Sequence, residues 1–214
     1  EALVWGGITM KFDKSNWKTV CLADVAYEIS ARVDNPSETK YDRFVGLEHF
    51  DSGELKIHRC GSTQDLVSAM KLFQAGDILL ARRNVYLKRA SLVEFDGICS
   101  GDAIVLREKE KNVVKGFLAF ILNTKDFWKY AIANADGSMS KRINVKNLLK
   151  YTFNLPPIDD QKRIAELFWA ADNTIRKKEN IISDLYQLKE IVTNELIAEL
   201  TLGTDEVYLG DLIE

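Results

Sequence analysis
The sequence predicts an α+β protein, a mixed α/β body followed by one long coiled-coil helix, on three observations. Up to Lys111 the apolar runs are short and cut by turn signals at Asn35-Pro36-Ser37, Asp51-Ser52-Gly53, Gly76-Asp77 and Asp96-Gly97. After Lys111 the apolar residues move to helical intervals. Beyond Pro156-Pro157 neither proline nor glycine appears until Gly203, and apolar residues there recur at spacings of four and three. The boundaries that follow are a body over 10–155, a helix over 156–202 and a tail over 203–214.

Each element has its own signal. WKTVCLADVAYEI reads as a short strand and a helical turn with Asp24 near its start, and ARVDNPSETK as a loop. YDRFVGLEHF alternates enough for a strand, and DSG turns the chain into a second strand, ELKIHRC. ILLAR follows Gly76-Asp77 as a strand, Asn84 marks a turn before VYLKRASLVEF, and ICSGDAIVLR is apolar in the manner of a buried strand. VVKGFLAFILNTKDFWKYAIANA sets Phe117, Phe120, Ile121, Phe127, Tyr130 and Ala131 at helical intervals, which predicts one or two helices ending near Asn134. ADGSMSKRI is a polar loop, and VKNLLKYTFNLPP carries a short helix into a strand. The double proline disfavours helix before it, Asp159 is placed to cap the next helix, and Gly203 is a natural stop.

At about 1.5 Å per residue the forty-odd residues of that helix make a rod of roughly 60 Å. Its seam of Ile164, Phe168, Ala171, Ile175, Ile182, Leu185, Val192 and Leu196 is interrupted by Lys178 and Lys189, as in a coiled coil whose register is set by polar insertions. A second line of Leu167, Ile181, Leu188 and Ile191 widens the stripe. The body is too short to cover such a rod, so the stripe calls for another helix or a partner protein; folding back on its own body is the alternative.

Composition bounds the function. A chain of 214 residues with 46% hydrophobic and 29% charged residues is globular, with room for one domain and an appendage or two small domains. The apolar run GFLAFIL is core-sized, far short of the roughly 18 residues of a membrane span, so the expectation is a soluble protein with no membrane role. Cys21, Cys60 and Cys99 are odd in number and far apart, which fits a reducing cytoplasm and predicts neither disulfides nor zinc. His58 with Cys60 is the nearest approach to a ligand pair, and no metal is expected. EALVWGGIT before Met10 is too short and wrongly flanked for a signal peptide; it reads as a remnant or the end of something upstream and enters no functional argument.

Charge is uneven. The net value is −3, yet Lys71 to Lys150 holds 15 Lys and Arg against 8 Asp and Glu, so a basic segment sits inside an acidic protein. A localised phosphate-binding face requires such a segment, because affinity follows the local field. The last residues also echo the start: Val207-x-Leu209-Gly210-Asp211-Leu212 lines up with Val20-x-Leu22-Ala23-Asp24-Val25, as if a second copy of the fold began there.

Three stretches carry a family likeness: YDRFVGLEHFDSGELKI; FQAGDILLARRNVYLKRASLVEFDGICSGDAIVLR; and FNLPPIDDQKRIAELF. In order they are similar to a Tyr-x-x-hydrophobic-Gly-Leu-Glu opening, a Gly-Asp-hydrophobic-Leu … Tyr-Leu-x-Lys … Asp-Gly-hydrophobic-Cys-Ser run, and a Leu-Pro-Pro-x-x-Glu-Gln-x-x-Ile helix start. With them the chain resembles the specificity subunits of type I restriction-modification systems, in a half-length form with one target-recognition domain. Asp160 departs from the family's usual Glu before Gln161, and ARRNVYLKR lacks the proline often found before the Tyr-Leu pair.

The resemblance implies two target-recognition domains per subunit, each reading one half of a split sequence in double-stranded DNA. Each is followed by a long helix; the helices pair antiparallel as a spacer and dock methyltransferase (modification) subunits, and through them the restriction subunit. This chain would supply one recognition domain and one helix, and a homodimer about a twofold axis would rebuild the pair on a palindromic split target.

No catalytic motif competes with that reading. NLPPI departs at Leu155 and Ile158 from the Asn-Pro-Pro-aromatic motif of amino-methyltransferases, and neither a Gly-x-Gly donor loop nor a Walker lysine occurs. A non-catalytic chain without a cofactor is expected. DNA contact is expected from Arg82, Arg83, Lys88 and Arg89 around Tyr86, and from Ser138, Lys141 and Arg142. Arg suits guanine edges, Lys suits phosphates and Ser serves either. Tyr86 and Leu87, at strand spacing, read more as core than as stacking groups, and Asp96 and Asp102 as turn residues. Two other readings stand beside this one: a coiled-coil adaptor without DNA specificity, indifferent to polyanions, and a methyltransferase with a degenerate donor site, which would bind the methyl donor alone. The bases read do not follow, since no code maps loop residues to bases.

Overall fold
The computed structural model describes residues 13–201 and two short strands at 3–5 and 8–10; the 203–214 tail and its echo of the start lie outside the described residues. In chain order the elements are β1 (Leu3–Trp5), β2 (Ile8–Met10), β3 (Lys18–Cys21), α1 (Leu22–Val25), β4 (Ala26–Ile29), β5 (Arg32–Val33), β6 (Arg43–Val45), β7 (Gly61–Ser62), β8 (Met70–Phe73), β9 (Ile78–Ala81), β10 (Ala90–Leu92), β11 (Gly97–Cys99), β12 (Ala103–Glu108), α2 (Phe117–Ile121), α3 (Lys125–Ala133), α4 (Val145–Leu148), β13 (Thr152–Leu155) and α5 (Ile158–Thr201). The α+β class read from the sequence is the class observed. By its contacts the chain divides into two units, Glu1–Phe168 and Trp169–Glu214.

Within the first unit a four-stranded sheet runs β10-β9-β12-β4 and a five-stranded sheet β5-β8-β11-β6-β7, while β13 pairs with β3. The two larger sheets share a core of Val45, Phe73 and Cys99 from one and Leu79, Ala81, Ala103 and Val105 from the other. Alternation along a strand sends Ile78, Leu80, Ile104 and Leu106 to the opposite face, where they are equally buried. Burial on both faces is why ILLA and AIVL read as unbroken apolar runs. Asn123 Nδ2 donates to Ala90 O at 2.8 Å and so fastens the end of α2 to β10. Beyond it Phe127 lies 4.9 Å from Trp128 and 5.2 Å from Tyr151, ring centroid to centroid.

Four local expectations fail for physical reasons. ELKIHRC is no strand: Ile57 alone enters the core, its N–H donating to Leu92 O at 2.9 Å while the Leu92 N–H donates to Leu55 O at 2.8 Å, and His58, Arg59 and Cys60 are exposed. Residues 85–87 form a 3-10 turn, and the strand after it begins only at Ala90. Gly97, taken as a turn residue, lies inside β11, where a Cβ would fall 2.6 Å from Arg43 O and 2.8 Å from Phe73 Cζ; the position needs close approach, not a bend. Asp159 is no cap, since α5 starts one residue earlier; it adds charge to the first turn and pairs with Lys162 at 3.8 Å.

The start of α5 is bound into the first unit. Gln161, buried, donates from Nε2 to Pro156 O at 2.8 Å and accepts at Oε1 from the Val114 N–H at 2.9 Å. Ile164 and Ala165 are buried beside it, and the Phe168 ring stands edge-on to Phe120 at 5.1 Å. Ile164, which spacing assigned to a coiled-coil seam, is therefore core of its own body, and Phe168 turns to the same body. From Trp169 onward, Ile175, Ile181, Ile182, Leu185, Leu188, Ile191, Val192 and Leu196 are all exposed. No helix among the described residues is long and apolar enough to cross a membrane.

Candidate nucleic-acid interface
Two loops meet on the first unit, residues 82–89 between β9 and β10 and residues 134–144 between α3 and α4. Their backbones interlock: the Ile143 N–H donates to Arg82 O at 3.1 Å and the Val85 N–H to Lys141 O at 3.4 Å, and Arg83 bridges Arg142 in antiparallel fashion. The second loop closes on itself, with Asp136 and Arg142 exchanging N–H to O bonds of 2.9 and 2.8 Å, which leaves 137–141 as a hairpin tip. Gly137 supplies the bend at φ 104°, a value side chains resist.

Side chains tighten the junction. Arg83 Nε donates to Ser140 Oγ at 3.0 Å, and that hydroxyl donates to Asn84 Oδ1 at 2.9 Å. The Asp102 carboxylate lies between Arg142 at 3.5 Å and Arg83 at 3.8 Å, holding two like charges on neighbouring loops. In the first loop Asn84 and Lys88 are both left-handed, at φ 52° and 53°, and bracket a single turn. Val85 in that turn is buried, whereas Tyr86 is 51% and Leu87 39% exposed. The expectation that Tyr86 and Leu87 are core is thus corrected: the left-handed caps rotate them outward and Val85 inward.

The basic residues chosen from the sequence come together but divide in role. Arg83, Lys88, Ser138, Lys141 and Arg142 are exposed. Arg89 is half-buried and donates from Nη1 to Leu47 O at 2.8 Å and from Nη2 to Arg83 O at 3.3 Å, so it braces the loop; burial pulls its guanidinium below the usual range. Arg82 is half-buried too, and its backbone carries the contacts with Asp102 and Ile143. Sequence reasoning missed Ser140, Asn84 as a side-chain acceptor, and Asp102 as the arginine clamp. In the turn before β12, Ser100 Oγ accepts from the Asp102 N–H at 3.2 Å. Asp96 accepts from the Ala75 N–H at 2.8 Å, as a turn residue would. Nothing local in sequence pairs Asp102 with an arginine 40 positions away.

A sheet-rich body with interlocked basic loops, followed in the chain by a long helix with exposed apolar residues, defines an α+β chain. The family model described as the type I restriction modification DNA specificity domain matches residues 14–187, and the chain belongs to that family. The specificity subunit of type I restriction enzyme EcoDI from Escherichia coli is 24% identical over 194 residues, covering 87% of this chain and 43% of the relative. The HsdS subunit of Thermoanaerobacter tengcongensis shares the fold at a TM-score of 0.63 and 22% identity, over 90% of this chain and 52% of that one. The S subunit of a type I restriction-modification system from M. genitalium does so at 0.63 and 15% identity, over 88% and 48%. The chain spans about half the length of the relatives it matches.

Proposed function
We propose that the chain is the DNA sequence-recognition component of a type I restriction-modification complex, reading one half of a split target with the two interlocked loops. The observation that carries this reading is the junction itself: Arg83, Lys88, Lys141 and Arg142 are exposed on two interlocked loops, Asp102 lies between the two arginines, and Ser140 holds Arg83. Fixed arginines suit bidentate base contacts, and the free lysines suit phosphates. In this reading the chain performs no chemistry; it aims a methyltransferase.

The stripe of α5, from half-buried Ala171 through exposed Ile175, Ile182, Leu185, Val192 and Leu196, is the surface proposed for helix pairing between two copies and for docking methyltransferase subunits. The test mixes the chain with its methyltransferase partner, sizes the complex and measures binding to a randomised duplex library over a range of salt. The expected result is one enriched sequence, with affinity falling steeply as salt rises. Arg83→Ala and Arg142→Ala each cost about 1–3 kcal/mol on that sequence and relax the preference at one position. Stable dimers with no preference among DNA sequences would instead favour a protein adaptor.

A further inference from the structure
We propose that the apolar tip of the loop junction, Met139 with Tyr86 and Leu87, reads thymine C5-methyl groups in the major groove; this rests on the DNA-recognition reading above. Met139 is 94% exposed at the crest of the 137–141 hairpin, and Tyr86 and Leu87 point outward from the adjoining loop. Scattered exposed apolar residues need no explanation. These three stand on two loops locked to each other, whose exposed side chains include the cations Arg83, Lys88, Lys141 and Arg142 together with Ser138 and Asp136.

Backbone and side chain are treated differently at this crest. Gly137 on one side sits at φ 104°, Ser140 on the other is clamped by Arg83 and Asn84, and the Asp136–Arg142 pair closes the base, so the Met139 backbone is fixed while its side chain is free. The Val85–Leu87 turn is likewise held between two left-handed residues at strain that ordinary loops avoid. An apolar group on the same two loops as phosphate-binding cations is carried onto the duplex with them, and the apolar feature a base edge offers there is the thymine methyl. A thioether chain with three rotatable bonds can follow that methyl within a fixed footprint.

The test uses the chain with its methyltransferase partner and the duplex selected from the random library. Each thymine of the target is replaced singly by deoxyuridine, which removes the methyl and keeps every hydrogen bond. The expected result is a loss of about fourfold at one position or more, the scale of one buried methyl group. Met139→Ala or Tyr86→Ala loses a similar factor on the thymine duplex and nothing further when the same position is deoxyuridine. The proposal is overturned if the target lacks thymine, if deoxyuridine is neutral at every position, or if losses from protein and DNA changes simply multiply. A rise in 2-aminopurine fluorescence on binding that Met139→Ala abolishes would also overturn it, identifying a wedge between base steps. If no sequence is selected at all, the recognition reading falls and takes this one with it; a selected sequence indifferent to the methyl leaves recognition standing and removes only the present inference.

Discussion
The two ends of α5 carry the same apolar spacing and meet opposite fates. Near its start Ile164 is 8% exposed, wedged beside Gln161 and Ala165; about five turns further on Ile182 is 53% exposed. Periodicity states that a face has to be covered and is silent on what covers it. What fastens the first end is polar as well: Gln161 has backbone partners at Pro156 and Val114. The long helix was legible; the residue where its apolar face leaves the body was not.

Paired truncations give the largest expected effect and can break this contrast. Ile164→Ala should lower the unfolding free energy of the chain by about 2–4 kcal/mol, as buried truncations do. Ile182→Ala should change it by less than about 0.5 kcal/mol under conditions where the chain is monomeric, and weaken self-association or methyltransferase capture instead. Urea unfolding at several protein concentrations separates the two. Equal losses of monomer stability would mean that both ends are buried by the same body.

A second contrast lies between two buried polar side chains that pin the same segment. Gln161 holds Val114, and Glu108 accepts from the Gly116 N–H at 2.6 Å and the Leu118 N–H at 2.9 Å. Burial pushes the Glu108 carboxyl up from 4.5 to about 7, against the pull of those two N–H groups. Between those values the folded state holds a proton that the unfolded state has released. Stability from this group is therefore complete below pH 4.5 and is lost as pH climbs through 7, by an amount on the order of 3 kcal/mol. Glu108→Gln, measured by denaturant unfolding from pH 5 to pH 8, should flatten that decline. A variant whose slope matches the original would assign the titration elsewhere.

The strands that sequence marks best, β9 and β12, are the ones buried on both faces, where composition alone decides. Legibility fails where one distant partner decides. Gly97 looks like a turn until Phe73 and the Arg43 carbonyl arrive beside it, and ELKIHRC alternates like a strand though only Ile57 finds a place in the core. In the candidate site the cations were legible because charge is local, while their roles were not. Arg89 and Lys88 are neighbours, yet one is tied to Leu47 O and the other is free of burial. The measurement that sharpens this is a pair of substitutions. Arg89→Ala should destabilise the fold by about 1–2 kcal/mol, since it leaves two carbonyls without their donor. Lys141→Ala should leave stability within about 0.5 kcal/mol and reduce the salt dependence of DNA binding by about one counterion. A reversal of the two readouts would exchange brace and contact.

The smallest effect separates shape from clamp at Asn84, which is left-handed and also accepts from Ser140. Asn84→Gly keeps the left-handed backbone without strain and removes the acceptor, whereas Asn84→Ala removes both the acceptor and the tolerance of positive φ. Thermal unfolding should place the glycine variant within about 0.5 kcal/mol of the original and the alanine variant about 1 kcal/mol below it. If the clamp exists to aim Arg83 through Ser140, both variants lose the same share of preference for target over random duplex, because stability and aim then depend on different atoms of one residue. Should the preference follow stability instead, the loop acts only by keeping its shape, and the Ser140 hydroxyl is incidental to recognition.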